Sequence, residues 1–239
     1  MRGFFENKEF NLSMDTGTMG ATIDGFTGDR MNLDEKGFLH GYEIHIFQLG
    51  SRPIKSNAVP KGTPTYGKEF KEKSIHYANR NLFVTSQTAF LPNRYSYVDL
   101  DPTYKDELGN PLLRVTVEFT EQDRKRTQDG LDRSGEIMKE MSADIVEGDE
   151  VPEDVKFDHK FFTDDFIGGV IMGDDPKVTA VNTYSQMWDL DNLFVVGGSS
   201  FPHTSAYNPT GTIGAFAFRA AEGVEKYLKD GGRVEEPKK

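Results

Sequence analysis

The sequence predicts an α+β chain, and three observations predict it. Between about residue 40 and residue 120, four segments carry the β-branched and aromatic residues of strands, separated by turn signals. Two longer stretches carry helical periodicity with identifiable ends. A short apolar run near residue 195 closes on two glycines and leads through a polar loop into the second helix.

The strand segments are "FLHGYEIHIFQL", "NRNLFVTSQTAFL", "NRYSYVDLD" and "LLRVTVEF", the last following the turn-like "DELGNP". They predict an antiparallel sheet of four or more strands. Thr120 and the acidic "EQD" then open a helix running to about Asp144, with Leu131, Ile137, Met138, Met141 and Ile145 inward and Gly130 and Gly135 weakening it. "VEGDEVPEDVKFD" is an acidic connector. In "DNLFVVGGSS" the run Leu193 to Val196 reads as a strand buried on both faces of a parallel sheet, closed by Gly197 and Gly198. The final helix is expected to start with Asn208 as its cap and Pro209 at its first position. Its inward residues are Ile213, Phe216, Ala217, Ala220, Val224 and Leu228; Lys226 and Lys229 suit its end, and Gly231 stops it. The first thirty residues are glycine-rich, without periodicity, and read as loop.

Composition excludes several functions. A net charge of -11 opposes a nucleic-acid footprint, which needs a basic face. The absence of cysteine removes disulfides, thiolate catalysis and iron–sulfur clusters. No metal site is expected. No apolar run approaches the ~18 residues of a membrane span. "MRGFFENKEFNL" lacks the apolar core of a secretory leader, so a cytoplasmic location is expected. "GTPTYGKE" has the glycine and lysine spacing of a P-loop, yet Glu69 stands where a hydroxyl would hold magnesium, no strand precedes it and two prolines nearby oppose a strand-to-helix transition. No G-x-G-x-x-G occurs; "GTMGAT" is the nearest approach and opens no convincing helix. A loop at the end of an apolar strand, followed by a helix N-terminus, is nevertheless where an open α/β sheet places a ligand.

Two stretches carry a resemblance: "IGGVIMGDDPKVTAVNTYSQMWDLDNLFVVGGSSFP" and "NPTGTIGAFAFRAAEGV". Together they resemble the carboxyl end of the glucose–methanol–choline (GMC) family of FAD-dependent oxidoreductases. Within the family the pattern looks like the flavoprotein subunits of gluconate and fructose dehydrogenases, with pyranose oxidases further away. "NRYSYVDLDPTYKDELGNPLLRVTVEF" looks like strands of that branch's substrate domain, and "FENKEFNLSMDTGTMGATIDGFTGD" like its mid-chain segment.

The resemblance implies an antiparallel-sheet substrate domain with helices, plus a C-terminal strand and helix completing a Rossmann-like FAD domain. On that basis residues 1–30 would be a connector on the FAD-domain side, 31–159 the substrate domain, 160–230 the return to the FAD domain, and 231–239 a tail. The resemblance also implies that the last helix points its N-terminus at the flavin, where reduction leaves negative charge. Gly197, Gly198 and Ser199 in the turn, with Pro209 and Thr210 at the helix start, would then lie along the FAD.

Catalysis in the family uses a histidine paired with a second histidine or an asparagine. Asn208 matches the asparagine, and its alternative role is helix capping. The position matching the family histidine, three residues before the first glycine of "DFIGG", is Asp165, a weaker base unless burial raises its pKa. His203, five residues before Asn208, is a second candidate base or a sugar-hydroxyl contact; its alternative is a loop histidine with a backbone partner. His159 is a poorer candidate, and His40, His45 and His76 read as sheet or surface residues. Family members carry their ADP-binding fingerprint before the region matched here. Three explanations compete: a split enzyme whose FAD-binding half is a separate chain, a fragment, or a non-catalytic subunit binding a carbohydrate or a partner. The split enzyme would dehydrogenate a carbohydrate or polyol hydroxyl.

Overall fold

The computed structural model describes residues 1–10, 20–27, 36–47, 58–148, 150–151 and 167–235. In chain order its elements are β1 (Arg2–Phe4), β2 (Ala21–Ile23), β3 (Tyr42–Phe47), α1 (Lys68–His76), β4 (Asn81–Thr88), β5 (Tyr97–Lys105), β6 (Pro111–Thr116), α2 (Glu121–Glu140), β7 (Ile145–Glu147) and α3 (Thr210–Asp230). They fall into two compact units: Met1–Thr88 with Thr120–Val155, and Ala89–Phe119 with Lys156–Lys239.

The first unit is a five-stranded antiparallel sheet in the order β2-β3-β4-β1-β7, with α2 against one face. Alternation along β3 sends Tyr42, Ile44 and Ile46 to that face, where they join Phe5, Leu82, Val84 and Met138 in the core. Glu43 and His45 share the other face and are almost fully buried. The Glu43 carboxylate lies 2.9 Å from His45 Nε2, an ion-pair contact rather than an aligned hydrogen bond. Burial pushes the Glu43 carboxyl above its usual range, and the His45 charge opposes that rise.

The opening of α2 is a capping box. The Thr120 hydroxyl accepts from the Asp123 amide, and the Asp123 carboxylate accepts from the Thr120 amide at 2.8 Å. Its buried face differs from the predicted apolar stripe. Asp123, Arg126, Gly130, Ser134 and Met138 face inward, while Leu131, Ile137 and Met141 are half-buried. The helix ends at Glu140, so Ile145 belongs to β7. Arg126 is fully buried; its Nε and Nη2 donate to the Leu39 carbonyl at 3.0 and 2.8 Å, and Nη1 to Asp123 at 3.0 Å. Gly130 permits contact with β4, because a Cβ there would sit 2.6 Å from Ser86 Oγ. Helix α1 forms after Gly67 even though prolines precede it, and no strand leads into it.

In the second unit β5 and β6 pair as an antiparallel hairpin. Helix α3 packs on residues 180–206. Gly223 allows the close approach, since a Cβ there would stand 2.8 Å from Tyr184 Cβ and 3.2 Å from Phe194. Arg219 and Lys226 lie over the Tyr184 ring at 4.5 and 4.0 Å from its centroid. Asn182 and Gln186, both fully buried, hold the loop together: Gln186 donates to the carbonyls of Asp191 and Gly232 and accepts from the Val234 amide. Gly231 stops α3 at φ +71°, as its sequence position predicts.

Two sequence expectations are corrected. Leu193–Val196 is not a buried parallel strand. Its pairing is an isolated antiparallel bridge between Phe194 and Gln186, and Leu193 and Val196 are 41 % and 49 % exposed. A doubly buried strand needs a neighbour along both edges, and among the described residues this run has one. On α3, Leu228 is exposed rather than inward, whereas Ala220 is buried and Ile213, Phe216, Ala217 and Val224 are half-buried. No helix among the described residues is long and apolar enough to cross a membrane.

Candidate active site

The glycine turn is built against a segment that no local sequence pattern connects with it. The amides of Gly168, Val170 and Met172 donate to the carbonyls of Gly198, Ser199 and Ser200 at 3.0, 2.9 and 2.9 Å. Gly198–Ser200 makes one short 3-10 turn. Gly168 and Gly169 have φ +87° and +104°, which lets the chain turn into this ladder. The signal available in sequence is the glycine pair followed by the apolar "VIM". Asp165 lies outside the described residues, as do Asp164 and His159.

Gly197 has φ +127°, and among the described residues nothing lies within 4 Å of where a Cβ would stand. The turn therefore presents bare backbone. From it the chain passes through Phe201, whose ring packs on Phe216 of α3 at 4.9 Å between centroids. The loop from Phe201 to Asn208 is fixed at Thr204. Its amide donates to the Phe90 carbonyl at 3.0 Å, and its hydroxyl accepts from the Phe90 amide at 2.6 Å. The Thr204 carbonyl lies 3.2 Å from His203 Nδ1. A carbonyl only accepts, so in this contact Nδ1 is the donor. His203 is exposed. Thr204 and Phe90 do not stand out in the sequence, because a bridge across more than a hundred residues leaves no local pattern.

The helix start is shifted from its predicted position. The Pro209 carbonyl accepts the first helical bond, from the Ile213 amide at 2.8 Å, so Pro209 rather than Asn208 is the cap residue. The reason lies in the proline. It already has helical angles of -84° and -6°, whereas a residue preceding proline is held away from them. Asn208 therefore stands just outside the helix and is exposed. Proline has no side-chain acceptor and the first turn holds no acidic residue, so this end of the helix is electropositive. Thr210, Gly211 and Thr212 on that turn are exposed.

The family model for GMC oxidoreductases matches residues 92–217, just over half of the sequence and the stretch holding the turn, the loop and the start of α3. The chain belongs to the GMC oxidoreductase family. It is 34 % identical over 96 % of its length to the gluconate 2-dehydrogenase flavoprotein of Pantoea cypripedii, covering 38 % of that protein. It is 30 % identical over 82 % of its length to a 2-methyl-1,2-propanediol dehydrogenase of Mycolicibacterium austroafricanum, covering 34 %. The large subunit of fructose dehydrogenase from Gluconobacter japonicus is 28 % identical over 69 % of the chain, which covers 29 % of it. The chain thus spans between a quarter and two fifths of these relatives. GMC oxidoreductases are FAD-dependent flavoproteins that act on CH–OH groups, and two features here fit such a cofactor: a glycine turn open at Gly197 and a helix terminus rich in backbone donors.

Proposed function

We propose that this chain forms the C-terminal, substrate-side part of an FAD-dependent dehydrogenase acting on a hydroxyl of a carbohydrate or polyol. The dinucleotide-binding part is carried by a separate polypeptide. The observation that carries the reading is the pair formed by the open glycine turn and the electropositive start of α3, both within the region that matches the GMC family.

Gly197, Gly198, Ser199, Pro209 and Thr210 would hold the FAD, with bare backbone at the turn and amides of α3 turned toward partial negative charge. When bound, FAD supplies acceptance of the hydride leaving the hydroxyl-bearing carbon. Asn208 holds that hydroxyl through its side-chain amide. The hydroxyl proton passes to His203, which Thr204 holds through its carbonyl, or to Asp165. The product is a keto sugar or a lactone.

Native mass spectrometry of the untagged complex from its own host tests the first half of this reading. A second polypeptide with bound FAD is expected; a lone chain without flavin would overturn it. Asn208→Ala tests the second half. It is expected to lower turnover by about 100-fold or more with FAD content unchanged, and an unaltered rate would remove Asn208 from the site.

A further inference from the structure

The β5–β6 hairpin is specified in detail, and one of its two exposed faces is aliphatic. At its tip the Asp106 carboxylate accepts from the amides of Leu108 and Asn110, both 2.8 to 2.9 Å away, and Gly109 takes φ +87°. On β5 the Asp101 carboxylate accepts from the amides of Thr103 and Tyr104 where the pairing shifts register. Cross-strand pairing sets Asp99 opposite Arg114, which form an ion pair on one face. The same register puts Val98 opposite Val115 and Leu100 opposite Leu113 on the other face. These four are 50 %, 45 %, 62 % and 67 % exposed. An isolated two-stranded ribbon is marginal in water and needs a cover on its apolar face.

Among the described residues nothing covers this one. We infer that the aliphatic face Val98–Leu100–Leu113–Val115 is a preformed docking surface for a second polypeptide, the one carrying the dinucleotide-binding part. This rests on the function proposed above. Two observations select that occupant over a second copy of the chain. The four side chains expose on the order of a few hundred Å², short of the roughly 800 Å² per partner of a stable dimer. The charge of -11 also sets two copies against each other. A larger partner engages the ribbon as one part of a wider interface. The 38 % coverage of the Pantoea flavoprotein shows how much polypeptide in a relative has no counterpart in this chain. A ribbon whose tip and bulge are already fixed loses little conformational freedom on docking.

The test is photo-cross-linking in the native host, with p-benzoylphenylalanine replacing Leu100 or Leu113 in turn, followed by peptide identification. The expected adduct is to a polypeptide that contains a G-x-G-x-x-G segment and co-purifies with FAD. In parallel, Leu100→Glu with Leu113→Glu is expected to lower recovered partner and FAD at least tenfold, while Arg114→Gln on the opposite face leaves both unchanged. All three positions are exposed, so circular dichroism of the isolated variants is expected to match the parent chain. An adduct to a second copy, or to this chain itself, would overturn the inference. So would an intact flavin-containing complex in the double variant, which would leave the proposed function standing. If native mass spectrometry finds no second polypeptide and no FAD, that function fails and this inference fails with it.

Discussion

Gly130→Ala isolates the close approach that joins α2 to the sheet. On an exposed helix the change is expected to stabilise by about 1 kcal/mol, because alanine loses less backbone entropy than glycine. At Gly130 the new Cβ would stand 2.6 Å from Ser86 Oγ, 2.8 Å from Ser86 Cβ and 3.5 Å from Tyr42 Cγ. The first two distances force α2 away from β4 or distort Ser86, at an overpacking cost of about 1–3 kcal/mol. The net expectation is a loss of about 0.5–2 kcal/mol, or a fall in Tm of roughly 1–8 °C for a chain of this size. Gly135→Ala in the same helix is the control, since its Cβ would meet only the flexible end of Met1 at 3.4 Å. That variant is expected to be neutral or stabilising. Thermal unfolding followed at 222 nm compares the two, and Gly130→Ala combined with Ser86→Gly is expected to regain part of the loss. A Gly130→Ala variant as stable as Gly135→Ala would refute the tight packing of α2 on β4.

Arg126→Met would leave the Leu39 carbonyl and the Asp123 carboxylate without their buried donors, and a loss of about 3–5 kcal/mol is expected in urea unfolding. Asp129 accepts from Lys36 and from the buried Tyr42 hydroxyl; burial pushes its carboxyl up, but these partners more than offset it and hold it below its usual range. A lowered acid stabilises above its unfolded pKa of about 3.9 and loses that contribution as pH falls through the folded value. Asp129→Asn is therefore expected to cost about 1–2 kcal/mol at pH 7, with the gap to the parent narrowing once the pH drops below about 4. Thr204→Val removes the hydroxyl that accepts from Phe90 while keeping the side-chain shape. It is expected to lower kcat and shift the pH–rate profile of the complex with FAD content unchanged, whereas a purely structural role would alter stability alone.

What the sequence discloses depends on how local each signal is. Thr120 and Asp123 lie three residues apart, so the capping box that opens α2 is visible, as are the four longer strands with their alternation. Strands β1, β2 and β7 have three residues each, too few to show a period, and they become strands only through pairing with β3, β4 and one another. The inward face of α2 escapes an apolar template because Arg126 and Asp123 satisfy each other when buried, which such a template does not anticipate. At the site, the glycine turn and the Asn-Pro helix start are legible by type. The clamp between Thr204 and Phe90 is not, because it depends on tertiary placement.

The order of segments within the two compact units has a consequence for synthesis and folding. The chain passes between them after Thr88, after Phe119 and after Val155, so each unit is assembled from two separated stretches. On the ribosome the hairpin of residues 97–116 is complete early and closes within microseconds, as local hairpins do. The sheet must wait: β1 lies between β4 and β7, and its outer edge stays open until residues 145–147 emerge. For that interval a nascent chain shows an unpaired edge on β1 while the hairpin has already folded, and holding it safe is a task for chaperones rather than for the native contacts.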